Sequence, residues 1–504
     1  MKQALYRICT AILLIGLLAT LMSANVFADE ENPPAPPTPW DGESTADDFA
    51  SGDGSFGDPY VISTPEEFNY FAQFVQRNGI SAKKYFILTS DLDFGGHTIV
   101  PVGSQNSQFK GIFDGRGHTI SNYKMHTDLA GDYLALFANI NGADAVVKNF
   151  TLADATYTGS GKIYVGAVAA FCTNGTISNI KLESTVKIEL KGEAVNGSTG
   201  GVAARHYGLI QYVVSEATVI VENGKENTQN FVGGLVGATG KGTGVISDCI
   251  VRGEVKTTLA YTGGISGIMG VTTEGLLRNC YNFAKVTSTF AAGGITGRFH
   301  TNACTLEGCY NLSDDIAGPE GKTGTIIGDV NCAGTVTGCG SIAVPGLGYY
   351  GPGYNTDVDV TGFELTETTA EALADQIRAL EEAIALNAAE EAKITYTEDE
   401  QEELTSDTVD LSDFPTDPSV TDEETDPGTT ATSESGIGTR PSGNGKTEES
   451  ATSAEPAGTT GTGTEEQSSA GSAGCKSVVA TGGIFLILAA LGCAILPGKS
   501  EKNR

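Results

Sequence analysis

Few residues combine a reactive type with a suggestive spacing. Asp91 and Asp93 stand in Asp91-Leu-Asp93, so on a strand their carboxylates share one face. Asp114 follows in Phe113-Asp-Gly115-x-Gly-His118. Carboxylates gathered in one cleft are what a polysaccharide lyase or hydrolase needs, as acid and base or as calcium ligands. These acids are scattered, however, and Asp91 and Asp93 have no counterpart at matching positions further on. A turn role accounts for Asp114, and His118 is expected to be a hydrogen-bonded turn residue. Arg205-His206 are expected to be exposed binding candidates without a partner. The histidines, His97, His118, His126, His206 and His300, form no His-Glu-x-x-His pair, the helical zinc motif. No Cys-x-x-Cys metal spacing occurs. The glycine-rich stretches do not join a strand to a helix, so no phosphate loop is expected. The expectation is therefore no catalytic, metal or cofactor-binding residue and no cofactor, with the ligand-binding residues unassigned.

Composition narrows the partners. The 504 residues carry 62 acids against 30 bases, a formal net charge of −32. A nucleic-acid partner is excluded, since it needs a basic face to displace counterions. Electrostatic docking on anionic lipid is excluded in the same way. Glycine, at 66 residues, is about twice as frequent as in an average domain and points to a turn-rich architecture.

The ends suggest a compartment. Lys2 and Arg7, an apolar run from Ile8 to Met22 and a small-residue stretch ending at Ala28 resemble a secretory signal peptide over 1–28. Residues 477–497 are uncharged and followed by Lys499, Lys502 and Arg504. That length spans a bilayer core, and the positive tail places it inside and the body outside. No sortase signal of the LPxTG kind precedes the segment. Between the ends, 29–57 reads as a linker and 58–345 as a regular β-rich body. Residues 346–397 read as an extension with an amphipathic helix. The Thr, Ser, Gly and acid-rich 398–474 reads as a disordered spacer, and 475–504 as a single-pass anchor with a short basic tail.

The body repeats. A six-residue unit begins at Val147, Ile177, Ile210, Ile246, Leu277, Leu306 and Val336, in steps of 30, 33, 36, 31, 29 and 30. A second unit, Gly-Gly-apolar-x-Gly/Ala, begins at Gly166, Gly200, Gly233, Gly263, Gly293 and, degenerate, Gly324. A third piece places Val186, Val219, Val255 and Val286 nine residues after the start of their own unit. Three β-type pieces in each period of about 30 residues describe a coil of a β-solenoid. The third place of the first unit holds Asn149, Asn179, Tyr212, Asp248, Asn279, Gly308 and Gly338. Asn, Asp and Gly tolerate the left-handed backbone of a sharp bend. The glycine pair suits a tight corner or a close backbone approach.

Phe109-x-Gly-x-Phe113-Asp-Gly115-x-Gly-His118-Thr-Ile120-x-Asn122, followed by units such as Val232-Gly-Gly-Leu-Val-Gly237, resembles the GLUG-motif surface proteins over residues 58–343. The resemblance implies an extracellular β-helix-like repeat domain. Related repeats also flank IgA-protease-type metallopeptidases, whose activity is not carried over without the zinc motif.

The expected fold is thus all-β, a parallel β-helix-like solenoid with a capping helix, a C-terminal helix, an acidic linker and one transmembrane helix. Thr64-Pro65-Glu66-Glu67 is a capping box with proline at the first helical position. Phe68, Phe71, Ala72 and Val75 then share a face, and Asn78-Gly79 ends the helix. This helix and a Tyr85–Leu88 strand are the expected N-terminal cap. At the far end Thr368-x-x-Glu371 reads as a second capping box. Leu373, Ile377, Leu380 and Ile384 form a face expected to pack on the last coil, with dimerisation as the alternative. Cys249, Cys280, Cys309 and Cys339 share one repeat position and are expected to line the core as reduced thiols.

The function these features imply is a non-catalytic surface binding or adhesion protein. Its partners are an unknown extracellular glycan or protein ligand and, through the C-terminal helix, the membrane of a Gram-positive type bacterium. The alternatives are a carbohydrate-active β-helix enzyme and a structural surface-layer or spacer protein.

Overall fold

A computed structural model describes residues 39–396, apart from 78–80, 130, 193–195, 224–229, 240–243, 259, 269–273, 301–302 and 352–357. The chain divides into units Met1–Thr405 and Ser406–Arg504. The signal-like 1–28, the spacer 398–474, the anchor 475–504 and Asn78-Gly79 lie outside the described residues. Among the described residues no helix is long and apolar enough to cross a membrane.

The strands wind into a parallel β-solenoid, and two helices accompany them. Among the described residues every strand-to-strand pairing between consecutive coils is parallel, as in Ile177↔Ile210 and Val255↔Val286. Each full coil has four strands rather than the three expected: for example Thr176–Leu182, Lys187–Gly192, Asn196–Gly200 and Ala203–His206. The first two join one large sheet. The third joins a seven-stranded sheet from Tyr133–Leu134 to Thr323–Gly324, and the fourth another from Phe137–Asn141 to Ile327–Val330. These two are called the entry and exit sheets, because the Gly-Gly corner lies between them.

Local chemistry sets the bends. The residues at the third place of the first unit all adopt positive φ, from 49° to 62°, Tyr212 included. Asparagine dominates because its short polar side chain tolerates this backbone and also links the coils. Asn149 Nδ2 donates to Asp114 Oδ1 at 2.9 Å, and Asn179 Nδ2 to Asn149 Oδ1 at 3.0 Å. The third piece is shifted at one point. Ile188, not Val186, aligns with Val219, because the turn before it is longer and closes with Val186 N donating to Glu183 O.

The glycine pair answers two contacts. A Cβ at Gly200 would lie 2.2 Å from Ala203 O, and one at Gly263 2.0 Å from Ser266 O. The second glycine lies under an inward side chain of the large sheet. A Cβ at Gly264 would meet Asn282 at 2.3 Å, and one at Gly294 would meet Asn311 at 2.4 Å. Where Thr325 replaces that glycine, Ser341 stands in the facing column and the two hydroxyls hydrogen-bond at 2.6 Å. Cys249, Cys280, Cys309 and Cys339 are fully buried and unbonded. The Cys280 thiol donates to Arg278 O at 3.2 Å. Burial pushes the Cys280 and Cys309 thiols well above their ordinary range.

Helix α1 (Pro65–Gln76) has the expected capping box. Thr64 Oγ1 accepts from Glu67 N, and Glu67 Oε2 accepts from Thr64 N at 3.2 Å. Its apolar face enters the core: Phe71 stacks on Phe113 at 5.6 Å and lies 4.6 Å from Phe86. The linker expected over 29–57 does not hold for 39–57. Trp40, Phe49 and Phe56 are buried, with Trp40 against Phe94 and Phe49 stacked on Tyr60. Three aromatic anchors outweigh the turn-forming composition around them, since each buries a large apolar area.

The solenoid also runs past residue 345. Leu365–Glu367 pairs with Cys339–Ser341, and Tyr350 bridges Ile327. Helix α2 (Ala370–Glu391) is capped by Thr369, not Thr368. Thr368 N is engaged instead with Ser341 O, continuing the last strand pairing. Nor does α2 stay on the last coil. Leu373 and Leu380 pack with Ile250, Tyr281 and Leu312, Arg252 pairs with Glu381 at 2.6 Å, and Lys148 with Glu391 at 2.5 Å. A helix of 22 residues is about 33 Å long, roughly seven rungs of about 4.8 Å. It therefore returns the chain along the large sheet to the first coils.

Candidate functional site

The carboxylates expected to be isolated are each engaged. Asp91 Oδ1 accepts from Thr119 N at 2.9 Å and lies 3.1 Å from His118 Nδ1. The backbone bond and then His118 hold its carboxyl below the usual range. This Asp–His pair, 27 residues apart, was not legible from spacing. Asp93 takes Gly95 N at 2.8 Å and Asn122 Nδ2 at 2.9 Å, which binds one strand end to its neighbour. Asp114 has the expected turn role, accepting from Arg116 N at 2.8 Å. It also takes the Tyr396 hydroxyl at 2.5 Å, closing the chain's return. Burial, with the Asp114 charge beside it, pushes the Tyr396 hydroxyl far up. The three acids thus each hold their own partners, and among the described residues no metal-ligand group of three assembles.

His126 lines a shallow depression with Asp128, Thr158, Glu189 and Lys191. Its ring nitrogens are taken by Thr158 at 2.9 Å and Asp128 at 3.1 Å.

Arg205 and His206 part company. His206 is fully buried rather than exposed, because alternation along the strand turns it inward, in register with Cys172 and Thr239. Its Nε2 lies 2.9 Å from Val245 O, and burial drives its pKa down to about 4. Arg205 lies on the other side, half-buried, over the rings of Tyr164 at 5.9 Å and Phe231 at 5.3 Å.

That contact belongs to a longer feature. The entry and exit sheets press together behind the Gly-Gly corner. A Cβ at Gly237 would come within 2.6–2.8 Å of Thr199 N, Phe231 O and Ala204 O. Along this seam runs an aromatic row separate from the main core. Phe231 and Tyr261 cluster with Ala238 and Ala291. Tyr133 stacks on Phe171 at 4.7 Å, Tyr164 lies 4.9 Å from Phe171, and Tyr261 lies 4.9 Å from Phe290. Cations lie over the rings: Arg298 over Tyr261 at 4.7 Å and Lys322 over Phe290 at 4.3 Å. Phe231 and Tyr261 are buried, whereas Tyr133, Tyr164, Phe171 and Phe290 are half-buried, and such rings beside a cation can stack on a planar or ring-shaped ligand and pair with an anion. The signal available in the sequence was the register of Tyr133, Tyr164, Phe231 and Tyr261, each two residues before its corner residue Ala135, Gly166, Gly233 or Gly263, with Ser198 in the same column. In strands this short, the same rings read equally well as core.

Comparison with known proteins adds little to this geometry. No family model matches the chain. Over 161 residues it is 28% identical to Halomucin from Haloquadratum walsbyi (strain DSM 16790 / HBSQ001), a stretch covering 30% of this chain and 2% of Halomucin. The chain thus spans a small part of that relative's length. A crystal structure from Bacteroides ovatus, provisionally named an immunoglobulin A1 protease, is similar with a TM-score of 0.46 and 22% identity. The match covers 66% of this chain and 90% of that one. A likeness at that score carries no argument about activity.

Proposed function

We propose that this chain is a non-catalytic binding protein of the cell surface, which displays its β-solenoid outside the membrane and meets its ligand along the entry–exit seam. The observation that carries the reading is the aromatic row with Arg205 set between Tyr164 and Phe231. A solenoid is a repeated scaffold on which each coil adds one contact, so an extended ligand can be followed along its axis. The signal-like start, the acidic spacer and the apolar 477–497 segment support the surface location, and the resemblance to GLUG-motif proteins agrees with it. The test is a glycan array and a cell-binding assay with the purified protein, run beside a polysaccharide-cleavage assay. Retention without product formation, weakened by Phe171→Ala, is expected. Cleavage that Asp91→Ala abolishes would install the β-helix enzyme reading instead, since Asp91 and His118 are the acid–base pair closest to such chemistry.

A further inference from the structure

We propose that Arg205 is an anion subsite within the seam, built to take the carboxylate of an acidic sugar. The argument rests on the reading of the seam as the ligand face and comes from two arginines in the exit sheet. Arg298 shows how this scaffold satisfies a guanidinium. It lies over Tyr261, hydrogen-bonds that tyrosine's hydroxyl, and holds Nε 3.4 Å from Asp329 Oδ2. Asp329 stands opposite it on the next coil and is fully buried. Arg205 is likewise stacked on rings, but the residue opposite it on the next coil is Ala238. Arg205 Nε, like Arg298 Nε, is buried without a hydrogen bond, but among the described residues no carboxylate lies within ion-pair distance of Arg205 as Asp329 does of Arg298. A guanidinium does not lose its charge in a protein. A guanidinium nitrogen buried without a partner is unfavourable until an acceptor reaches it. A ligand carboxylate at Arg205 would supply what Asp329 supplies to Arg298.

The surroundings favour a sugar as the carrier of that carboxylate. Tyr133, Tyr164 and Phe171 lie half-buried on the neighbouring coils, with Tyr133 and Phe171 stacked at 26°. They offer ring faces to the C–H face of a pyranose. A peptide would seek an open strand edge, and the two strands that flank the Arg205 corner offer none. Asn196–Gly200 is paired on both sides, by Lys162–Gly166 and Asn230–Gly233. Ala203–His206 is paired by Ala169–Thr173 and Val236–Thr239. Nor does the net charge oppose an anion at this place. Residues 146–330 carry 14 Lys and Arg against 15 Asp and Glu, so the acid excess lies elsewhere in the chain.

The test uses the full chain and titrates it with polygalacturonate, its neutral methyl ester, sialyllactose, lactose and polyaspartate. The expected result is at least tenfold tighter binding of an acidic saccharide than of its neutral counterpart, with a preference that fades as salt rises. Whether polygalacturonate or sialyllactose shows it identifies the sugar that supplies the carboxylate. Arg205→Gln should erase that difference, so that acidic and neutral forms bind alike, with the melting temperature serving as the check on folding. Arg205→Lys should keep part of the preference, since charge remains but the planar fork does not. Equal affinity for acid and neutral forms, or a preference that survives in Arg205→Gln, overturns the subsite. Polyaspartate binding tighter than either acidic saccharide overturns it in favour of an acidic peptide. If Phe171→Ala weakens acid and neutral forms alike while Arg205→Gln changes neither, the subsite fails and the seam stands. If saccharides bind but Phe171→Ala has no effect, the seam itself fails.

Discussion

The N-terminal end and the later coils have interiors of opposite character. Around α1 the core is built from phenyl rings: Phe68, Phe71, Phe86, Phe94, Phe109, Phe113 and Phe137 are all buried, and Phe71 contacts five of the others. From about residue 176 onward the rings give way to stacked Ile, Val and Leu, interleaved with columns of small and polar groups. Cys249 to Cys339, Ser215, Thr262, Asn282 and Asn311 are all buried. Asn282 Nδ2 donates to Asn311 Oδ1 at 2.8 Å, and Asn282 Oδ1 accepts from Ala284 N at 3.1 Å. The difference follows from translation. In a coil, each residue's neighbour above and below is the same position one period away, so a residue that bonds to its own kind is satisfied on every rung. The end has no such neighbour on its outer side. There only large rings from several segments fill the space and cover the exposed core.

The comparison can be broken by substitution. The largest effect is expected at Phe71. Phe71→Ala removes a ring from the centre of the cap and should cost about 3–5 kcal/mol, measured by denaturant unfolding. Hydrogen exchange should rise first in the first coils. A loss of only a few tenths of a kcal/mol would show that α1 merely rests on the solenoid.

Acid should act on the other region. Folded His206 titrates near pH 4 against an ordinary 6.5. On acidification the unfolded chain binds the proton first, so this contribution falls between about pH 6.5 and 4 and is fully lost below the folded value. The span amounts to about 3 kcal/mol, and exchange protection around 203–239 should weaken before that around α1. His206→Gln should flatten the dependence. An unchanged slope in that variant would assign the acid sensitivity to other groups.

The smallest of the three effects concerns the cysteine column. Cys280→Ser places a more polar group where the thiol donates to Arg278 O and should cost about 1–2 kcal/mol. Native thiols should label slowly, then completely after unfolding without reductant. A Cys249–Cys280 or Cys309–Cys339 bond in a non-reducing mass map would replace the reduced ladder and remove its resemblance to the asparagine column.

Legibility in the sequence followed locality. The bend residues from Asn149 to Gly338 could be identified because left-handed backbone is a demand on one residue. The Thr64 cap was legible because it is complete within four residues. The buried segment 39–57 was not, because its Pro, Gly and Asp content reads as turn whether or not Trp40 and Phe49 find a surface. The spacing of Leu373, Ile377, Leu380 and Ile384 gave a helical face but not what it would cover. Of the entry–exit seam, only Arg205 stood out beforehand.

The sequence by itself determined the coil: its period, its bends, its glycine corner and the residue types that stack on themselves. All of these recur at fixed spacing, so each repeat states the same local requirement again. The tertiary structure alone decided which singular residues meet. Asp91 meets His118, Arg298 meets Asp329, and Lys148 meets Glu391 across 243 positions. Tyr396 reaches Asp114 across 282. Those contacts depend on the direction in which α2 leaves the last coil and on which coil lies beside which. No local backbone preference encodes either, because the free energy of such a contact arises only once the coils are stacked.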